Sequence, residues 1–238
     1  KPAAGGVGRG PASGRRPIHK RYPQHCDGLA LLESRTPKQV GGLAHRLLCR
    51  ALSADANIVT VEMPGEAVYI VLDGTLKVHI EQAGGQDVVL AILGPGDTVG
   101  EMSLLDSAGR SASVVTLEET TLLWIDRTSF QEAMQVIPTL AINLVRILSS
   151  RVRLANEQIQ TLATLDVYGR MARQLLAFAE KYGETSGNGD VLIPIRLTQG
   201  DFADLVGASR KRVNQVMVSF KNYHYISVDH NGHIMVHD

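Results

Sequence analysis

Between residues 57 and 126 the apolar positions fall in short runs: NIVTVEM, AVYIVL, TLKVHI, DVVLAIL, SASVVTL and TLLWI. Some alternate with polar residues and others are continuous. Turn-forming residues separate them, at Pro64-Gly65, Asp73-Gly74, Gly84-Gly85 and Gly94-Pro95-Gly96-Asp97. Runs of this length with such punctuation predict closely spaced strands. Together they predict a β-barrel or sandwich of jelly-roll form. A short helix is expected just ahead of it, over 37–52.

The period changes after residue 137. The segment 138–166 has no Gly and no internal Pro, and its apolar residues recur at helical spacing. Val145, Leu148, Val152, Ala155, Ile159 and Leu162 follow alternating steps of three and four, the seam of a coiled coil. Leu140, Leu144, Ile147 and Leu154 form a second stripe, expected to lie on the chain's own barrel. A single domain needs one apolar face, so the second predicts a helix shared between two copies of the chain, about 40 Å long at about 1.5 Å per residue. Asp166 then caps a further helix, with Met171, Leu175, Phe178 and Tyr182 on one side and Gly183 at its end.

The stretch LTQGDFADLVGASRKRVNQVMVSF carries a third pattern. Thr198 and Asp201 stand in capping-box positions for one helix, with Phe202 and Leu205 inward. Gly207-Ala208 makes a turn, and Ser209 caps a second helix that buries Val213, Val216, Met217 and Phe220. Lys211, Asn214, Gln215 and Ser219 are left outward, with Arg210 at the flank. Two short helices with this turn predict a helix-turn-helix. Arg or Lys suits guanine, and Asn or Gln suits adenine, at major-groove edges. The candidate DNA-contacting set is Thr198, Ser209, Arg210, Lys211, Arg212, Asn214, Gln215 and Ser219. The strand–turn–strand pattern over 225–236 predicts a small wing.

These residues resemble the CRP/FNR family of bacterial transcription regulators, the relatives of the catabolite activator protein. Three pieces in order carry the resemblance: the GE…RSA loop, the long helix ending in LATLDVYGR, and the helix-turn-helix stretch. It spans about residues 52–238. The expected class is α+β, divided into a flexible arm (1–26), a jelly-roll sensor (27–136), a dimerisation helix (137–165) and a winged helix-turn-helix (166–238). The Gly-, Pro- and Arg-rich arm buries little.

The loop GEMSLLDSAGRSASV offers the sensor chemistry. Arg110 forks onto phosphate oxygens, Ser111 adds a hydroxyl, and loop amides form an anion nest. Glu101 would repel a phosphate and is better placed to accept from a ribose hydroxyl. A sugar and its phosphate together are what a cyclic nucleotide presents. The resemblance implies the same roles for Gly100, Glu101, Arg110 and Ser111, with Met102, Ser103 and Ala112 beside them in the candidate pocket. A plain Arg110–Glu101 bridge across the loop is the structural alternative.

The resemblance further implies that adjacent polar residues on the long helix meet the purine, which here are Ala155 and Asn156. Ala155 departs from a hydroxyl-bearing reader, while Asn156 keeps a donor and an acceptor; Thr161 is a further contributor. cAMP or a similar cyclic nucleotide is the implied effector, with cGMP, a heme-bound gas or no effector as alternatives. The implied partners are double-stranded DNA with an inverted-repeat operator, a second copy of the chain, and RNA polymerase as a further candidate.

The bulk composition narrows the rest. The 238 residues carry 24 Lys+Arg against 24 Asp+Glu, so a nucleic-acid surface must be a local patch. Cys26 and Cys49 are too few for a four-cysteine cluster, and no metal is expected. No Ser/His/Asp set, P-loop or HExxH appears, and His79 with Glu81 is too sparse for a cupin metal site. An enzyme is therefore excluded. A regulatory subunit that docks on another protein would have no use for the reader. No apolar run reaches membrane-spanning length and the start lacks a secretory h-region, so a cytoplasmic protein without membrane contact is expected. The first residue is Lys, so the sequence is expected to start inside a longer product.

Overall fold

The computed structural model describes residues 31, 46–60, 66–81, 87–105, 109–230 and 232–237. The expected arm, Cys26 and most of the helix expected over 37–52 lie outside them. Its last turn is corrected, because Leu48–Leu52 is a strand, β1. It pairs antiparallel with the strand at Thr120–Asp126, from Leu48 opposite Trp124 to Leu52 opposite Thr120. Those ladder bonds outweigh a weak local helical preference.

The strands that follow are β2 (Asn57–Val59), β3 (Ala67–Asp73), β4 (Leu76–Ile80), β5 (Val88–Leu93), β6 (Thr98–Val99), β7 (Ser113–Thr116) and β8 (Thr120–Asp126). They form two four-stranded antiparallel sheets, in the orders β1-β8-β3-β6 and β2-β7-β4-β5. Ile58, Val71, Leu76, Leu93, Val114 and Leu122 interdigitate between the sheets as the interior of the roll. The continuous runs AVYIVL and TLLWI have a physical reason. Val71 and Leu122 point into the roll, while Val68, Ile70, Leu72, Leu123 and Ile125 point the other way, beneath helices. A sheet covered on both faces has no use for polar alternation.

The covering helices are α2 (Arg127–Val136) and α3 (Pro138–Thr164), after a single turn, α1 (Met102–Leu105), in the loop beyond β6. Phe130, Leu140 and Leu144 are all but fully buried on the sheet. Pro at the start of α3 suits a position where no N–H is needed, and α2 and α3 meet at a bend of 111°. Of the second stripe on α3, Leu140, Leu144 and Ile147 pack as expected; Leu154 does not, and is 45 % exposed. The barrel ends before the helix does.

Next come α4 (Val167–Tyr182), β9 (Glu184–Thr185), β10 (Val191–Ile193), α5 (Gln199–Val206), α6 (Arg210–Asn222), β11 (Ile226–Val228) and β12 (Ile234–Val236). Met171, Leu175 and Phe178 of α4 join Phe202, Val206, Val213, Val216 and Phe220 in a separate core. The wing is part of a four-stranded sheet, β11-β12-β10-β9, which extends it beyond the expected pair of strands.

Caps set the helix starts. Asp126 accepts from Ser129 N at 2.9 Å and Asp166 from Gly169 N at 2.8 Å. The Ser129 amide holds the Asp126 carboxyl below its ordinary value of 3.8. Folding thus favours the ionised form, and the stability it contributes is present above that ordinary value and lost as pH falls through the lower folded one. Asp126→Ala is expected to cost about 1 kcal/mol. Thermal melts of both proteins should show a constant gap near neutral pH that closes below about pH 4.

Candidate functional site

The loop between β6 and β7 holds the candidate ligand residues. Gly100 adopts φ 89°, and a Cβ there would stand 2.6 Å from Arg110 Nη1 and 2.8 Å from the Ala67 carbonyl. Both the backbone and the space require glycine. Arg110 is buried and turned inward: Nη1 donates to Gly100 O and to Ser103 Oγ, each at 2.9 Å, and Nη2 to Ala67 O at 3.1 Å. Burial, the largest influence on this guanidinium, lowers its pKa from the ordinary value. Its Nε is buried without a hydrogen-bond partner among the described residues.

Glu101 is 1 % exposed, and the bridge expected as the alternative, to Arg110, is replaced by another. Arg151, on α3, donates from Nη1 to Glu101 Oε1 at 2.5 Å and from Nη2 to the Thr98 carbonyl. The second carboxylate oxygen, Oε2, is buried with no partner. Ser111 is exposed and donates to Met102 Sδ at 3.9 Å. Met102 is exposed too, while Ser103 and Ala112 are buried. The loop therefore brings Gly100, Glu101, Ser103 and Arg110 together. Asn156 and Ala155 stand apart on the exposed part of α3, and Thr161 is half-buried there.

Arg151 was not among the candidates. Its only signal is a cation among the polar residues of SSRVRLANEQ, and its partner lies 50 residues earlier. His79 is buried, 3.7 Å from Asp87 and 3.9 Å from Glu81 through Nε2. Among the described residues no group of three or more His, Cys, Asp or Glu is placed to hold a metal ion.

On the reader, Thr198 and Asp201 form the capping box, with Thr198 Oγ1 donating to Asp201 Oδ2 at 2.6 Å. Thr198 is thus committed to the cap. Gly207 sits at φ 62°, where left-handed backbone ends α5, and Ser209 Oγ accepts from Arg212 N at 3.3 Å. Arg210, Lys211, Arg212, Asn214 and Gln215 are exposed on α6, and Ser219 is half-buried. Arg210 lies against Gly200, where a Cβ would stand 2.8 Å from its Nη2.

The reader is docked on the sensor. Val89 and Ile92 of β5 share a core with Phe202, Ala203 and Val206. Lys77 Nζ stands 3.5 Å from Asp201 Oδ1. Asp97 receives Lys181 Nζ at 2.8 Å and the Tyr182 hydroxyl at 2.5 Å. Burial first, and the Asp97 charge second, push the Tyr182 phenol above its ordinary value, so it donates as a neutral group.

A β-roll with an acid–arginine loop and a capped pair of short helices is the architecture of a two-domain DNA-binding regulator. Residues 49–136 match the cyclic nucleotide-binding domain family, and residues 169–238 match the Crp-like helix-turn-helix domain family. The chain is 34 % identical over 166 residues to the CRP-like cAMP-activated global transcriptional regulator of Mycobacterium tuberculosis, covering 70 % of this chain and 74 % of that protein. It is 35 % identical over 153 residues to the cyclic AMP receptor protein of Thermus thermophilus, covering 64 % and 67 %. The fold is also that of the c-di-GMP-responsive global regulator CLP of Xanthomonas campestris, at TM-score 0.69 and 21 % identity, over 85 % of this chain and all of that one. The chain belongs to the CRP/FNR family of transcription regulators. It is a DNA-binding regulator and not an enzyme. Among the described residues no single helix is long and apolar enough to cross a membrane.

The Glu101–Arg151 pair is open to a direct check. Arg151→Met leaves a buried carboxylate uncompensated and is expected to cost about 2–4 kcal/mol, short of a wholly buried pair because Arg151 is 32 % exposed. Adding Glu101→Gln should recover part of the loss. Denaturation of the four proteins in a double-mutant cycle should give a coupling above about 1 kcal/mol.

Proposed function

We propose that the protein is a homodimeric, cAMP-responsive regulator that binds an inverted-repeat operator in the cytoplasm. One observation carries the effector: Glu101 Oε2 and Arg110 Nε, an acceptor and a donor, are buried side-chain atoms without partners in one loop. Buried polar atoms of this kind call for a partner. A ribose hydroxyl suits the first and a phosphate oxygen the second, with Ser111 exposed beside them. The mycobacterial relative is named as cAMP-activated, which agrees with this choice.

Coupling follows from Arg151. A hydroxyl donated to Glu101 Oε2 acts on the carboxylate whose other oxygen Arg151 holds, and Arg151 belongs to the helix that leads to the reader. The nucleotide shifts the balance by binding one arrangement of α3 better than the other. Asn156, exposed a little over one turn beyond Arg151, supplies donor and acceptor to the base. The stripe Val145, Val152, Ile159 and Leu162, each more than half exposed, is the surface on which a second copy would pack. Two recognition helices then meet major grooves one turn, about 34 Å, apart.

An effector-free member of the family is the second reading. Its support is that Arg110 and Arg151 already satisfy carbonyls and Glu101 Oε1 within the chain. Calorimetry separates the two. cAMP should bind the wild type, and Arg110→Ala should lower affinity at least about 100-fold, as loss of a charge-assisted fork does. Equal affinity in both proteins overturns the phosphate assignment, and no heat with any cyclic nucleotide favours the second reading. Val152→Glu with Ile159→Lys should convert dimers to monomers in sedimentation equilibrium; a persistent dimer places the interface elsewhere.

A further inference from the structure

The N-terminal half of the recognition helix carries two amides, Asn214 and Gln215, and each is held by a neighbour. Gln199, at the start of α5, donates from Nε2 to Asn214 Oδ1 at 3.0 Å. Arg212 donates from Nη1 to Gln215 Oε1 at 3.3 Å. A guanidinium has no acceptor, so the group Gln215 turns toward it must be its oxygen. What both amides leave outward is NH₂.

The rest of the face has the same polarity. Arg210 and Lys211 are donors only. The sequence of α6, RKRVNQVMVSFKN, holds no Asp or Glu to accept from a cytosine or adenine amine. Its remaining hydroxyl, Ser219, is half-buried in the third turn.

We propose that Gln199 and Arg212 are specificity-determining positioning residues, which occupy the carbonyl oxygens of Asn214 and Gln215 and leave a reading face of donors alone. A free Asn or Gln reads adenine by using its oxygen and nitrogen together, toward N6 and N7. An engaged oxygen keeps a second lone pair, but its direction is set by the neighbour and no longer by the base, which disfavours that pairing. The base edge that matches two donated hydrogens is guanine, whose N7 and O6 both accept; thymine O4 comes next. The half-site therefore carries guanine opposite Asn214 and Gln215, where an unassisted reading of the two amides gives adenine. The inference rests on α6 being the DNA-reading helix.

The test uses the full chain and a random pool of duplexes, selected with and without cAMP. Selection with Asn214→Ala and Gln215→Ala locates the base pair each residue faces, as the position whose preference collapses. At those positions the wild type should enrich guanine, and a G·C to A·T exchange should weaken binding at least about tenfold at fixed salt. Gln199→Ala and Arg212→Ala should cut that discrimination to about threefold or less, each at its own position. Arg212→Lys, which still donates, should retain it. Gln199→Glu can only accept, so it should turn the Asn214 amide around and raise adenine or cytosine at that position. These exposed side chains carry no core packing, so the variants fold.

Enrichment of adenine or cytosine by the wild type at the located positions overturns the inference while leaving DNA reading by α6 intact. So does a uniform loss of affinity in Gln199→Ala and Arg212→Ala with base preference unchanged, which would make them phosphate contacts. Failure to enrich any sequence, with or without cAMP, overturns the reading role of α6 as well.

Discussion

The ion pair between Glu101 and Arg151 joins the parts of this molecule that have to communicate. A carboxylate 1 % exposed is costly to hold ionised unless a cation reaches it. In this chain the cation comes from α3 and not from the loop itself. The sensor loop is thereby tied to the long helix through a carboxylate that is almost wholly buried. On the proposed reading, a ligand that hydrogen-bonds Glu101 acts on the partner of Arg151 and so on α3. Arg110 plays a different part. Its guanidinium bonds to Gly100 O, Ser103 Oγ and Ala67 O and holds the loop's shape from within.

A second set of contacts restrains the reader. Asp97, in the turn after β5, receives both Lys181 and Tyr182 from the end of α4, and Lys77 faces the capping Asp201 of α5. Exposed pairs such as Lys181–Asp97 contribute little, about 0–1 kcal/mol each. The stronger component is apolar, with Val89 and Ile92 buried among the reader's own core residues. Gly94 belongs to this contact, since a Cβ there would stand 2.8 Å from the Tyr182 ring. Such an interface holds one arrangement of the two units without locking it, because its charged bonds exchange readily with water.

Legibility in the sequence followed the range of the interaction. Period-two runs and turn residues are local, and β3, β4, β5, β7 and β8 stand where they predict. The capping box at Thr198 and Asp201 and the left-handed Gly207 are local too. The family resemblance, carried by three short motifs, is matched by both domain families. What escaped was set at a distance. β1 is a strand because β8 pairs with it across about 70 residues. The helix α2 buries only Phe130 and Ala133, too few to mark a period. Arg151 and Lys77 look like ordinary surface cations until partners 50 and 124 residues away are brought to them. Val89 and Ile92 fit a strand pattern that says nothing about which domain covers them.

The geometry of α3 explains why Arg151 is an effective place to act. N-terminal to it, Leu140 and Leu144 anchor the helix on the sheet. C-terminal to it, Val152, Leu154, Ile159 and Leu162 are all 45 % exposed or more, so the chain's own sensor no longer holds the helix. Beyond Arg151, α3 runs on for 13 residues, about 20 Å at 1.5 Å per residue, away from the sensor. A tilt of about 6° at that point moves the far end by about 2 Å, because an α-helix bends little over this length. The far end is not slack. Arg170 donates to Leu165 O at 3.2 Å and to Gly207 O at 3.3 Å, so the end of α3 and the turn of the helix-turn-helix are held by one side chain. Displacement of α3 therefore reaches the turn that sets the angle between α5 and α6. On the proposed reading, a change at one carboxylate in the roll is passed along this route to the recognition helix.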